Sequence, residues 1–223
     1  MREVRICYFQ GMEGEQTPGL RERKKLRTRE TIVRVALELF GQQGYQATTI
    51  PQIAEAADIS PRTVSTYFPL KEGIVFEPWA GEKESFELAL ADRDPGQSTI
   101  DALRAWLLAQ RGIWEEREQE MRLLHRVIDS DESLRAIEHV HHHELQQLLG
   151  EGIARDMDLE TEDMEPRIAA AATVAAFDVI NQERLDHASG GKHLPLARGM
   201  EIMDRALAFV DGGVEALRHR SQD

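Results

Sequence analysis

The stretch from Thr49 to Phe68, TIPQIAEAADISPRTVSTYF, constrains the fold of this chain more than any other. It reads as a short helix, a tight turn and a second short helix. Thr49 can cap the first helix, with Gln52 three residues on in the position of a capping box, while Ile50, Ile53, Ala54 and Ala57 supply its apolar face. The second start is marked by Ser60 and Pro61. Serine suits the N-cap, and proline at the first helical position lacks an N–H that would have no partner there. Asp58 and Ile59 leave a turn too short for two independent helices, so the pair must pack at a steep angle. The second helix, Pro61 to Phe68, then protrudes with Arg62, Thr63, Ser65, Thr66 and Tyr67, side chains whose hydrogen-bonding groups suit a DNA groove. The competing reading, two core helices of an ordinary bundle, fits poorly because Pro61 to Tyr67 is too polar to bury.

The 223-residue chain has a formal net charge of −13, which by itself argues against a nucleic-acid partner. The distribution reverses that inference. Residues 1–80 carry 11 Lys/Arg against 10 Asp/Glu, leaving 16 against 30 for the remainder, so the acidic excess belongs to the second part. Arg21, Arg23, Lys24, Lys25, Arg27 and Arg29 cluster just ahead of the helix pair with only Glu22 opposing them. The cluster is either an electrostatic footprint on phosphate or a solvated helix face. The single cysteine, Cys7, excludes an internal disulfide and fits a reducing compartment. No apolar run approaches the roughly 18 residues of a membrane span, and MREVRICYFQGM lacks an h-region, so a soluble cytoplasmic protein is expected.

Residues 1–19 hold Gly11, Gly14, Pro18 and Gly19 without periodicity and read as a disordered tail, with Met12 an alternative start. A helix from about Arg23 to Gln43 follows, ended by Gly44. After Phe68, PLKEGIVFEPW begins another helix that carries Lys71 near its first turn. A lysine there opposes the helix dipole, and a nearby phosphate would account for it. Pro78 and Gly81 are expected to kink or divide this helix, and Asp94-Pro95-Gly96 to end it. From Ser98 onward every periodic segment is helical: one around Ile100, Leu103, Leu107 and Trp114, one from Met121 to Ile128, and one from Glu132 to about Arg155 with Leu134, Ile137, Leu145 and Leu148 on its buried stripe.

Two long helices close the chain. Ala169, Ala172, Thr173, Ala176, Phe177 and Ile180 recur at helical spacing, and Leu196, Met200, Met203, Leu207 and Val210 form a stripe that crosses Gly212 and Gly213 in phase to Val214 and Leu217. Such a surplus of apolar helix face predicts a homodimer paired through a four-helix interface. The fold class is all-α. Its expected divisions are a tail over 1–19, a DNA-binding domain with a helix-turn-helix over 20–69, and a helical ligand-binding and dimerisation domain over 70–223.

With those residues placed, the sequence from Arg27 to Phe76 resembles the TetR-type transcriptional regulators. The shared parts are a basic helix with an ALELF core, a Gly-Tyr and Thr-Thr lead-in, IAEAA, an S-x-R-T helix start and a YF-P-x-KE close. Asp58 stands where the family often has glycine, and Leu70 where a serine commonly caps the next helix. The resemblance implies a homodimer on a palindromic double-stranded operator, a repressor released when a small-molecule effector enters the second domain. Position by position it puts Pro61, Arg62, Thr63, Ser65 and Tyr67 against bases or nearby phosphates, and Thr49 and Lys71 on the backbone. By its chemistry Arg62 is the base reader, since a guanidinium pairs with guanine O6 and N7.

The histidines of HVHHHE, residues 139–144, do not converge on a helix: His139 and His143 face away from the apolar stripe and His141 lies within it. The i, i+4 pair lacks the further ligands that a functional metal site needs, so neither a metal nor a cofactor is expected. His141 and His125 are either satisfied core histidines or the polar handles of an effector pocket lined by Phe86, Trp106, Trp114, Leu124 and Ile128, which are otherwise simply core. Two other readings remain. One is a DNA-binding regulator whose second domain only dimerises or binds a protein. The other is a helical metal enzyme using these histidines, for which no nucleophile with an adjacent base is evident.

Overall fold

A computed structural model describes residues 19–189 and 194–220. Among these residues there are ten helices and no strand: α1 (Leu20–Gln43), α2 (Ile50–Ala56), α3 (Pro61–Tyr67), α4 (Glu72–Val75), α5 (Glu77–Ala91), α6 (Thr99–Glu116), α7 (Glu118–Asp129), α8 (Glu132–Met157), α9 (Met164–Ser189) and α10 (Leu196–Arg220). No described helix is long and apolar enough to cross a membrane. The expected tail lies outside the described residues except for Gly19, and α1 begins at Leu20, three residues before the apolar pattern becomes legible.

The chain divides into two compact units. The first takes the described residues up to Ser85 together with Gln119–Arg135, and the second takes Phe86–Glu118 with the chain from Ala136 onward. The helix-turn-helix unit therefore extends past the boundary expected at residue 69, because elements distant in sequence complete its core. Ile32, Ala36, Leu37 and Phe40 of α1 are buried with Ile53 and Ala54 of α2, Val64 of α3 and Ile74 of α4. Leu124 and Ile128 of α7 are buried in the same unit. Gly41 of α1 has Leu123 of α7 so close that a Cβ there would stand 2.6 Å from Leu123 Cδ1. Glu77 of α5 forms a bidentate ion pair with Arg29 of α1, the second of its two hydrogen bonds 2.5 Å long.

The helix after Phe68 divides earlier than Pro78 and Gly81 suggest. The break falls at Phe76, and Pro78 sits in the first turn of α5, where its missing N–H costs nothing. Gly81 lies inside α5.

In the second unit Phe86 packs with Ile100, Leu103 and Leu107 of α6, Leu149 and Ile153 of α8, and buried residues of α9 and α10. The backbones of α6 and α8 approach where Gly152 meets Thr99; a Cβ on Gly152 would stand 2.6 Å from Thr99 Oγ1. Thr99 is buried but satisfied. Its N–H donates to Asp156 Oδ2 (2.6 Å), and Arg93 donates to Thr99 Oγ1 (2.7 Å) while pairing with Asp156 (2.8 Å). The buried stripe of α8 in this unit runs through Leu149, Ile153 and Met157, whereas Leu145 and Leu148 are half-buried. Adjacent leucines at 148 and 149 left the phase of the stripe ambiguous.

Most of the apolar positions expected to face a second copy are spent inside one chain. Thr173, Ile180, Leu196, Met203, Leu207 and Val210 are buried, and Ala169, Ala176, Phe177 and Met200 are half-buried. Helices α9 and α10 pack on each other and α10 packs on α6, which consumes the denser stripe of each. Of the expected interface positions only Ala172 is exposed.

Candidate nucleic-acid interface

Each of the two short helices is started by its own side chains. At α2, Gln52 N–H donates to Thr49 Oγ1 (3.4 Å) while Thr49 N–H donates to Gln52 Oε1 (2.8 Å), the reciprocal pair of a capping box. At α3, Ser60 Oγ accepts from Thr63 N–H (3.1 Å) and Pro61 occupies the first turn. Between them Asp58 has φ 55, a left-handed turn that aspartate tolerates better than most residues. The chain reverses tightly there, with Ile59 N–H donating to Ala54 O (3.0 Å). Val64 is wholly buried and anchors α3 by one face.

That anchoring determines what α3 presents. Pro61, Arg62, Ser65 and Thr66 are exposed, and Thr63 and Tyr67 are half-buried at the margins. Thr66 Oγ1 donates to Arg62 O (2.8 Å), and the Thr63 and Ser60 hydroxyls share a hydrogen bond (2.8 Å), so these side chains hold fixed rotamers. Arg62 makes no ion pair among the described residues, and its guanidinium is available to a partner. Thr49, the cap of α2, is exposed as well.

Two cations expected near phosphate are engaged within the protein. Arg29 pairs with Glu77, and its guanidinium stands 4.7 Å from the Phe68 ring centroid, so one member of the basic run is turned inward. The Glu77 hydrogen bond raises the Arg29 pKa. Lys71 Nζ donates to Tyr45 O (2.8 Å) and Thr48 O (2.9 Å) and lies 4.1 Å from the Tyr45 ring centroid. Burial lowers its pKa. Leu70 offers no cap, and Lys71 itself occupies the position before the four-residue α4 without a side-chain cap bond.

The residues considered for an effector pocket fall into different units. Phe86, Trp106 and Trp114 of the second unit form an aromatic series, with centroids 5.4 Å and 5.7 Å apart. Leu124 and Ile128 are core residues of the first unit, where His125 also lies with Nδ1 2.7 Å from Met121 O and its ring 6.4 Å from Trp79. They belong to α7, which folds with the helix-turn-helix unit, and so do not join the aromatic series in one unit.

His141 is half-buried, 3.8 Å from Glu144 of its own helix. The histidine that meets α9 is instead His142, with Nδ1 3.1 Å from Asp178 Oδ1. Burial lowers the His142 pKa and raises that of Asp178. Position 142 is in phase with Leu145 and Leu149 and so lies on the shifted stripe of α8. His139 and His143 are exposed, and among the described residues no three His, Cys, Asp or Glu side chains are grouped to hold a metal.

Comparison with known proteins agrees with this geometry. Residues 32–77 match the family described as bacterial regulatory proteins, tetR family, and residues 97–214, more than half of the chain, match the MftR C-terminal domain. The regulator TcmR of Streptomyces glaucescens is 45% identical over 86 residues, covering 39% of this chain and 38% of TcmR. MftR of Mycobacterium tuberculosis, named for the regulation of mycofactocin biosynthesis, is 28% identical over 148 residues, covering 66% of this chain and 75% of that protein. The match to TcmR thus spans well under half of that protein, and the match to YttP of Bacillus subtilis spans 55% of it. Among solved structures, NalD, the secondary repressor of the MexAB-OprM multidrug efflux pump in Pseudomonas aeruginosa, has a TM-score of 0.58 at 19% identity, covering 86% of this chain and 97% of NalD. Thermus thermophilus FadR, solved in complex with lauroyl-CoA, has a TM-score of 0.50 at 23% identity, covering 82% and 92%. At such identities these two establish the fold alone. With a tetR-type helix-turn-helix at its start and an MftR-type helical domain over most of the rest, the chain belongs to the TetR family of DNA-binding transcriptional regulators.

Proposed function

We propose that the protein is a homodimeric repressor that reads a palindromic operator through α3 and is released by a small-molecule effector held in its second unit. The observation that carries the reading is the two-faced character of α3, with Val64 buried beneath and Arg62, Ser65 and Thr66 exposed above. Arg62 reads a base, Thr63 and Ser65 lie beside it, and Thr49, Thr66 and Tyr67 fix register on the backbone. A palindrome needs two such readers in fixed relation, and an exposed apolar stripe on the last two helices supports a dimer. On α9 Ile168 and Val179 are 60% and 62% exposed, with Ala172 and Ala175 between them. On α10 Phe209 is 82% exposed beside Gly212 and Gly213.

The half-buried Trp106 and Trp114, next to buried Phe86, are the proposed contacts for an apolar portion of the effector. FadR, solved in complex with lauroyl-CoA, is one protein of similar fold that holds a ligand with an apolar acyl chain.

Selection of duplexes from random DNA with the purified protein tests the reading. An inverted repeat is expected, bound by a dimer in sedimentation, and Phe209→Glu is expected to give monomers that bind the repeat at least about tenfold more weakly. A selected site without two-fold symmetry, bound by a monomer, would overturn it.

A further inference from the structure

The lead-in to the helix-turn-helix, residues 44–48, is held from one side by a lysine. Gly44 has φ 89 and turns the chain out of α1. Tyr45 is buried edge-on against Phe40, with ring centroids 5.1 Å apart, and Thr48 is buried with its hydroxyl donating to Gly44 O (2.9 Å). The carbonyl oxygens of Tyr45 and Thr48 both accept from Lys71 Nζ, at 2.8 Å and 2.9 Å. Tyr45 O also accepts from Thr48 N–H (3.3 Å). The ammonium lies over the Tyr45 ring, 4.1 Å from its centroid. Burial, helped by the charges of Glu72 and Asp131, pushes the Tyr45 pKa up to about 12. Lys71 therefore grips both the backbone and the ring face of one tyrosine.

We propose that Lys71 is a positioning residue for DNA recognition rather than a phosphate ligand: its ammonium fixes the 44–48 lead-in and, through Thr48, the Thr49 cap from which α2 starts. An ammonium has three N–H groups, and two are directed at these carbonyls. Thr49 follows Thr48 directly, and Thr49 O accepts Ile53 N–H (3.1 Å), the first intrahelical bond of the buried face of α2. Because α2 packs on α3, displacement of the cap displaces the reading face. This arrangement also removes the difficulty of a lysine at a helix start, where the dipole repels it: the two carbonyl dipoles supply the missing negative potential. The proposal rests on α3 being the DNA reader, but its structural half does not depend on DNA.

The test compares Lys71→Met, which removes the charge and all donors, with Lys71→Gln, which keeps N–H donors without charge. Amide exchange of Ile53 and Ala54 is measured in the free full-length protein. Affinity and its salt dependence are measured on the duplex selected with the wild-type protein. For Lys71→Met we expect exchange at Ile53 and Ala54 to rise about tenfold or more, affinity to fall by a similar factor, and the log-log salt slope to stay at the wild-type value. Lys71→Gln should recover part of both losses, and it carries the comparison if Lys71→Met does not fold. A slope reduced by about 0.9 per protomer with unchanged exchange would make Lys71 a phosphate ligand and overturn the proposal. Unchanged exchange with unchanged affinity would overturn it as well. If the wild-type protein selects no DNA, the reading role of α3 fails, and the exchange comparison still decides whether Lys71 holds the cap.

Discussion

Arg29 belongs by sequence to a basic run ahead of the helix-turn-helix, yet its guanidinium is bound to Glu77 and stacked on Phe68, the residue that closes α3. The Arg29 side chain is 35% exposed and Glu77 is 15% exposed, so the pair is neither a solvated surface bridge nor a fully dehydrated one. Two charge-assisted bonds in a dry site would be worth more than about 3 kcal/mol, and an exposed pair less than about 1 kcal/mol. Discounted for the exposure of Arg29, a coupling of about 1–2 kcal/mol is expected. A double-mutant cycle of Arg29→Met, Glu77→Leu and the combined variant, read by urea unfolding, measures it directly. Arg29→Met alone should cost about 2 kcal/mol, since it strands a part-buried carboxylate, and Glu77→Leu in that background should restore part of the loss. The combined variant should bind the selected duplex with the wild-type salt slope. A coupling below about 0.3 kcal/mol, or a slope lowered by about 0.9 per protomer in both Arg29 variants, would refute the assignment of this arginine to the protein interior.

Asp131 caps α8, accepting Ser133 N–H (3.0 Å) and Leu134 N–H (3.3 Å), and it accepts Gln46 Nε2 (2.9 Å) from the lead-in to α2. A bond from the Ser133 hydroxyl (2.5 Å) foremost, and these others with it, hold its carboxyl below the usual aspartate value. The ionised form is therefore the one the fold favours. Its contribution is fully present above pH about 4 and is lost as pH falls through the lower folded value. Asp131→Ala should cost about 1 kcal/mol at pH 7, and the gap between variant and wild type should close in unfolding measured at progressively lower pH. Gly152→Ala should destabilise the second unit by about 1–3 kcal/mol in thermal unfolding, because its Cβ meets Thr99 Oγ1 at 2.6 Å and the Thr99 methyl at 2.8 Å.

The short-range chemistry of the fold was legible in the sequence. Thr49 with Gln52, Ser60 with Pro61, and Gly44 after α1 are local devices whose partners lie within four residues, the first two acting through their side chains and Gly44 through its positive φ. Helices α9 and α10 were equally visible, but periodicity identifies an apolar face without saying what covers it. The stripe through Ile180, Met203, Leu207 and Val210 is covered by the same chain, so the surface available to a partner is the sparser one around Val179 and Phe209. The fates of Lys71 and Arg29 were not legible at all. Their partners are 23 to 48 residues away, and a cation chosen for phosphate looks the same in sequence as one chosen for a carbonyl or a carboxylate. On α8, two adjacent leucines hid a one-residue shift in phase, and with it the meeting of His142 and Asp178.

The claim that α3 reads DNA through Arg62 is tested most directly by repeating the duplex selection with Arg62→Ala. The account predicts that preference at one base pair of each half-site relaxes by about 1–3 kcal/mol while the other positions and the protein's stability are unchanged. Unaltered preference at every position, with affinity lowered uniformly, would contradict it and reduce Arg62 to a backbone contact.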